Sequence, residues 1–205
     1  MQKFIFALLT CEKDMTTFIN LHSFIERSTE NGPGTRAVMW VQGCTLNCPG
    51  CFNPETHDLG VRTLVAVEDL AERILGIAGI EGITVSGGEP FLQAGALAAL
   101  GTIIKLQNLG MIVFTGFTRD QIAQRNDAEW DALFALTDLL IDGPFIQPLA
   151  CDLPLRGSRN QTLHYLSDRY KPFQERFEHG TSGVEVFIDQ AGQVVVTGFP
   201  VQDIW

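Results

Sequence analysis

Positive charge is scarce in this chain. Its 205 residues hold 14 Lys and Arg against 24 Asp and Glu, a formal net charge of −10. An acidic surface repels phosphate backbones and anionic lipid, which argues against free nucleic acid and membrane surfaces as partners. Long apolar runs are missing too. Residues 4–9 are apolar but short, and residues 94–104 are broken by Gly and Thr, whereas a spanning helix needs roughly 20 apolar residues. There is no internal repeat and no low-complexity run. Nor is there an even, dispersed set of cysteines: there are five, and three crowd together, which excludes a secreted disulfide framework. Lys3 and the short run after it look faintly like a signal peptide, but Cys11-Glu12-Lys13-Asp14 is no small-residue cleavage site. Residues 1–14 are therefore expected to be an N-terminal extension, with Met15 an alternative start and the cytoplasm the expected compartment. Hydrophobic residues make up 45% and charged residues 19%, a globular composition able to bury its own core.

Cys44, Cys48 and Cys51 are set at C-x3-C-x2-C spacing, with turn formers between them, including Asn47, Pro49 and Gly50. Such a loop can wrap its thiols around a centre. Soft thiolates select zinc, copper(I) or iron–sulfur clusters. A structural zinc site wants a fourth protein ligand, for which His57 is available. A 4Fe–4S cluster usually takes four cysteines; three would leave one iron open to a substrate or cofactor. Cys11 and Cys151 carry no second ligand loop and read as ordinary thiols. At this level cluster and zinc both remain open.

Residues 15–36 are mixed in pattern and end in the turn cluster Asn31-Gly32-Pro33-Gly34. Residues 37–41 form an apolar run of strand length, as do 82–86, 111–115 and 138–141. Between them, residues 68–77, 92–108 and 127–136 carry helical spacing, and Thr118-Arg119-Asp120-Gln121 is a capping box opening a further helix. This alternation predicts βαβ units and a parallel sheet, with the chemistry at the carboxyl ends of the strands. The chain is too short for an eight-fold barrel of about 250 residues, so a partial (β/α) barrel over 15–165 with helices outside is expected. After Leu163 the pattern changes. Residues 184–189 and 193–197, flanking Gln190-Ala191-Gly192, read as an antiparallel hairpin in a small appendage over 166–205.

Three segments resemble a known family. Cys44-x3-Cys48-x2-Cys51-Phe52 is similar to the cluster motif of radical S-adenosylmethionine (SAM) enzymes. Gly87-Gly88-Glu89-Pro90, at a strand end, resembles that superfamily's GGEP motif. Asn31-Gly32-Pro33-Gly34-Thr35-Arg36 resembles the DGPGxR stretch of glycyl-radical-enzyme activases. Asp142-Gly143-Pro144-Phe145 and Arg156-Gly157-Ser158-Arg159-Asn160-Gln161 look most like the branch that activates anaerobic ribonucleotide reductase. Pyruvate formate-lyase activase has Asp-Leu-Lys where this chain has Asp142-Gly143-Pro144. Activases with an inserted ferredoxin-like domain carry many more cysteines.

The resemblance implies that Cys44, Cys48 and Cys51 hold one 4Fe–4S cluster with an open iron, and that SAM binds there and is cleaved to a 5′-deoxyadenosyl radical. It implies that Phe52 lies against the adenine, with Asn53, Gly87, Gly88, Glu89, Pro90, Thr115 and Asp142 around SAM. Glu89 is suited to accept a hydrogen bond from an ammonium group. The implied partners are a glycyl-radical enzyme, here anaerobic ribonucleotide reductase, and a reduced flavodoxin or ferredoxin-type electron donor. Two other readings stand beside it. One is a radical SAM enzyme acting on a small molecule or another protein, similar to 7-carboxy-7-deazaguanine synthase. The other is a zinc or electron-transfer module without enzymatic activity.

Overall fold

The computed structural model describes residues 16–188, 192 and 194–199. The expected N-terminal extension, Cys11, and Asp189, Gln190, Ala191 and Gln193 of the expected hairpin lie outside the described residues. The fold is α/β, with a seven-stranded, mostly parallel central sheet. The strands are β1 (Phe18–Ser28), β2 (Arg36–Val41), β3 (Leu64–Ala66), β4 (Gly82–Gly87), β5 (Gly110–Phe114), β6 (Leu139–Asp142) and β7 (Thr162–Tyr165). Their order across the sheet is β3-β1-β2-β4-β5-β6-β7.

The centre of the sheet, β2-β4-β5-β6, is parallel, as the alternating pattern predicts. The outer strands are not: β1 and β3 on one side and β7 on the other run antiparallel. This corrects the expectation of parallel strands alone. It also corrects the reading of residues 15–36 as merely mixed, since half of them, Phe18–Ser28, form the longest of the described strands. β1 escapes pattern recognition because it is half exposed and irregular in register between Leu21 and Ser23 and between Ile25 and Ser28, which breaks the two-residue alternation.

Three longer helices and one short one connect the parallel strands: α1 (Val67–Leu75), α2 (Ala94–Leu106), α3 (Arg119–Gln124) and α4 (Ala128–Leu136). The expected helix over 92–108 begins two residues late, because a 3-10 turn at Pro90–Gln93 precedes it. The capping box at Thr118 is present, with the Thr118 hydroxyl on Gln121 N and the Gln121 side chain on Thr118 N. Alternate strand residues divide the core. Ala37, Met39, Val41, Ile83, Val85, Met111 and Val113 pack with Leu70, Ile74, Leu97 and Leu100 of the helices. On the opposite face Ile112, Leu139 and Ile141 pack with Leu155, Tyr170 and Phe177. Each fully buried aliphatic chain contributes about 1.5–3 kcal/mol.

Beyond β7 lie the short helix α5 (Gln174–His179) and a two-stranded antiparallel hairpin, β8 (Val184–Ile188) with β9 (Val194–Gly198). Glu185 holds this hairpin to the body. Its carboxylate accepts from the hydroxyls of Ser28 and Thr29 and from the backbone of Thr29 and Glu30. Phe199 stacks on Phe114, with ring centroids 5.4 Å apart.

Arg36 is wholly buried beneath the sheet. Its guanidinium donates to Thr84 Oγ1, Pro33 O, Tyr170 Oη, Ile83 O and Gly110 O. That uses all five donors of the fork. Burial pulls its pKa below the ordinary value, opposed by Tyr170. No helix among the described residues is long and apolar enough to cross a membrane.

Candidate iron–sulfur site

The cysteine loop leaves the carboxyl end of β2. Asn47 and Gly50 take positive φ, 47° and 72°, so the loop reverses within a few residues. Cys44 is buried, and Cys48 and Cys51 are partly exposed. Leu46 N points at Cys44 Sγ (3.5 Å) and Asn53 N at Cys51 Sγ (3.4 Å). Burial pushes the Cys44 and Cys51 thiols up; Cys44 also feels Glu89 and Cys48, and Cys51 feels Cys48 and Cys44. No three His, Cys, Asp or Glu side chains among the described residues converge tightly enough to clasp a single metal ion. His57 meets the loop through its backbone, its carbonyl accepting from Cys44 N at 3.3 Å.

The Gly87-Gly88-Glu89-Pro90 turn is stitched to this loop. Gly88 N donates to Val41 O and Glu89 N to Gly43 O, both at 2.8 Å. A Cβ on Gly88 would overlap Gly43 O and come within 2.7 Å of Gly43 C. A Cβ on Gly87, itself at φ 106°, would press on Val41 N and Trp40. The two glycines are therefore set by the approach of one backbone to another. Gln93 closes the seat, its Nε2 donating to Gln42 O at 2.9 Å.

Glu89 is fully buried. The sequence suggests an ammonium partner; in the structure its carboxylate takes three protein donors. Oε1 accepts from Phe91 N (2.9 Å) and the Thr115 hydroxyl (2.8 Å), and Oε2 accepts from Gly116 N (2.9 Å). Burial pushes the carboxyl up to about 7, opposed by these three hydrogen bonds. Thr115 is thereby turned toward Glu89. Pro90 opens the 3-10 turn.

Asp142 is buried at the end of β6 and accepts from Arg119 N, at the start of α3, at 2.6 Å. His164 Nε2 stands 3.0 Å from the same oxygen without making a hydrogen bond to it. Phe52 is 37% exposed, and its ring lies 5.0 Å from that of Phe145. Asn53 caps the short 3-10 turn at Pro54–Thr56 with its carbonyl, which accepts from Thr56 N and the Thr56 hydroxyl. The structure thus brings the cysteines, Gly87–Glu89 and Thr115 to one end of the sheet. It ties Asp142 to α3. Gly43, Gln93 and Gly116 complete the seat and were not anticipated; the Thr-Gly pair closing the third strand was the available signal.

The cysteine loop, hydrogen-bonded to the neighbouring strand turn, offers three thiols, two of them faced by a backbone N–H, a donor set of the kind that suits an iron–sulfur cluster. Residues 30–164 match the model of the 4Fe-4S single cluster domain. The anaerobic ribonucleoside-triphosphate reductase-activating protein of Vibrio cholerae is 34% identical over 155 residues, 71% of this chain and 97% of the relative. Its Escherichia coli counterpart is 32% identical over 157 residues, 72% and 99% of the two chains. The pyruvate formate-lyase-activating enzyme of Listeria monocytogenes is 33% identical over 165 residues, 74% of this chain and 65% of that enzyme. The chain belongs to the glycyl-radical-enzyme activases of the radical SAM superfamily. It is an iron–sulfur enzyme of that activating type.

Proposed function

We propose that the chain cleaves SAM reductively and installs a glycyl radical on anaerobic ribonucleotide reductase. The observation that carries the proposal is the seat itself. The three-cysteine loop and the Gly87-Gly88-Glu89-Pro90 turn are hydrogen-bonded together at the carboxyl ends of β2 and β4. The target is supported by relatives that share nearly their whole length with this chain and are named for activating that reductase.

A cluster held there would supply one electron for reductive cleavage of a sulfonium C–S bond in bound SAM, chemistry that ends with a hydrogen atom taken from a glycine of the partner. Cys44, Cys48 and Cys51 would hold the cluster. Gly87 and Gly88 let the turn close onto the backbone of the cysteine loop, so that turn and loop form the two sides of the seat for the amino-acid end of SAM. Phe52 and Asn53 flank the loop on the adenine side. Glu89 and Thr115 act by fixing the ends of β4 and β5 relative to each other, and Asp142 fixes α3 beside them. We read the sheet, with α1–α4 on one face, as a partial (β/α) barrel with residues 166–205 as an appendage. The electron donor is a reduced flavodoxin or ferredoxin-type protein, and the compartment is the cytoplasm.

The test is electron paramagnetic resonance on anaerobically reconstituted, reduced protein. A 4Fe–4S signal that shifts on adding SAM, followed by a glycine radical on the reductase, is the expected result. A cluster signal indifferent to SAM overturns the reading.

A further inference from the structure

The connection between β6 and β7 runs through residues 143–161 with a single 3-10 turn, Gln147–Leu149. Connections of this length without regular structure are uncommon and usually have a task. This one is stitched to itself. Gln161 Oε1 accepts from Gly157 N (2.8 Å) and Ser158 N (3.1 Å), and Gln161 Nε2 donates to Gly143 O (3.1 Å). Asn160 Nδ2 donates to Pro144 O at 2.8 Å, and Ile146 N to Ser158 Oγ at 3.1 Å. The two motifs singled out in the sequence, 142–145 and 156–161, are therefore the two sides of one rigid clasp.

The clasp closes on the cysteine loop. Phe145 packs its ring on Phe52. Gly157 lies against both rings: a Cβ there would stand 2.9 Å from Phe52 Cε2 and 3.1 Å from Phe145 Cδ2. A Cβ on Gly50 would come within 2.9 Å of the Gln147 side chain. Phe52 sits between Cys51 and Asn53, and Asn53 N points at Cys51 Sγ. A displaced Phe52 backbone therefore re-aims the N–H group directed at that sulfur. Hydrogen bonds to the sulfurs tune an iron–sulfur cluster.

We propose that Phe145 and Gly157 are positioning residues for the cluster, holding Phe52 and through it the Cys51 sulfur and its N–H···S bond. The clasp rests on the reading of the three cysteines as cluster ligands. Its effect on the cluster is read without SAM, so its failure and the failure of the SAM reading are distinguishable.

The test uses the full chain, reconstituted anaerobically with iron and sulfide. Gly157 has no positive φ, so Gly157→Ala meets only the two rings and not backbone strain. The variant should load the cluster. The reduced spectrum should shift relative to the parent, and an iron chelator should strip the cluster several-fold faster, while the melting temperature of the cluster-free chain stays within a few degrees. Phe145→Val alone, which takes away the ring that Phe52 packs on, should shift the spectrum and speed stripping in the same direction. A Gly157→Ala protein with parental spectrum and stripping rate overturns the proposal. So does a Phe145→Val protein with parental spectrum and stripping rate. A parent chain that takes up no iron overturns the cluster reading itself.

Discussion

The hydroxyl of Thr115 donates to Glu89 Oε1 at 2.8 Å, bolting the end of β5 to the turn after β4. With Gly116 N on Oε2, this carboxylate joins two strand ends where no ladder bond runs. The consequence is a pH signature. The folded carboxyl sits at about 7, above its ordinary value near 4.3. Between those values the folded state binds more protons than the unfolded one, so stability falls as pH rises through that window, by up to roughly 3–4 kcal/mol. Glu89→Gln removes this slope and introduces an amide N–H facing the donor of Gly116, costing about 1–3 kcal/mol at low pH. Denaturant titrations of the cluster-free chain at pH 5, 6, 7 and 8 check both; a parent with flat stability across that range refutes the assignment.

Gly88→Ala drives a Cβ into Gly43. Backbone cannot yield as a side-chain tip can, so a loss of roughly 1–3 kcal/mol is expected. That corresponds to about 2–4 °C in melting temperature for each kcal/mol. Iron uptake should drop alongside, because Gly43 precedes Cys44. Unchanged melting with full iron uptake would contradict the close approach.

Serine at Cys44, Cys48 or Cys51 should abolish the cluster absorbance, whereas Cys151→Ser should leave it intact. Burial keeps the Cys44 and Cys51 thiols protonated at neutral pH, and cluster binding must release those protons. Cluster uptake should therefore rise from pH 7 to pH 9, read as iron and sulfide per chain. Uptake independent of pH would mean that the thiols are already ionised.

Arg36→Lys replaces five donors by three. At least two of the acceptors Thr84, Pro33, Tyr170, Ile83 and Gly110 are left bare in a buried site, and a loss of about 3 kcal/mol or more is expected. Urea midpoints measure it. A loss under about 1 kcal/mol would show that water or a shifted side chain satisfies them.

Glu185 holds the hairpin through its carboxylate, and the donors around it pull its pKa down against the opposing effect of burial. A depressed carboxyl contributes stability above the unfolded value, near 4.3, and loses it as pH falls below. Amide exchange in β8 and β9 should accelerate in acid in the parent and be fast at every pH in Glu185→Ala. Equal protection in both would place the hold elsewhere, on Phe199.

The parallel centre of the sheet was legible because β2, β4, β5 and β6 are buried on both faces and read as unbroken apolar runs. The capping box at Thr118 was legible because its signal is local. β3 and β7 were not: strands of three and four residues carry too little periodicity, and they exist only because a partner edge pairs with them. The cysteine loop and its neighbouring turn were visible as motifs, but their joining through Gly43 is a long-range contact that no local pattern encodes. The same holds for Asp142, a strand-end acid by sequence and the anchor of a helix start in the folded chain. Arg36 looked like the polar end of a turn motif; its burial depends on Tyr170, 134 positions away.

Strand order carries one further consequence. From β2 onward each parallel strand lies beside the next parallel strand made, in the sequence β2-β4-β5-β6, and the antiparallel β7 then adds to β6. On a ribosome releasing about 5–20 residues each second, the sheet can grow by adding one edge at a time. The cysteine loop and the turn that seats it emerge early, within residues 44–90. In the half-built protein the cysteine loop and this turn can already meet before the clasp, the Arg36 cover and the hairpin have been synthesised.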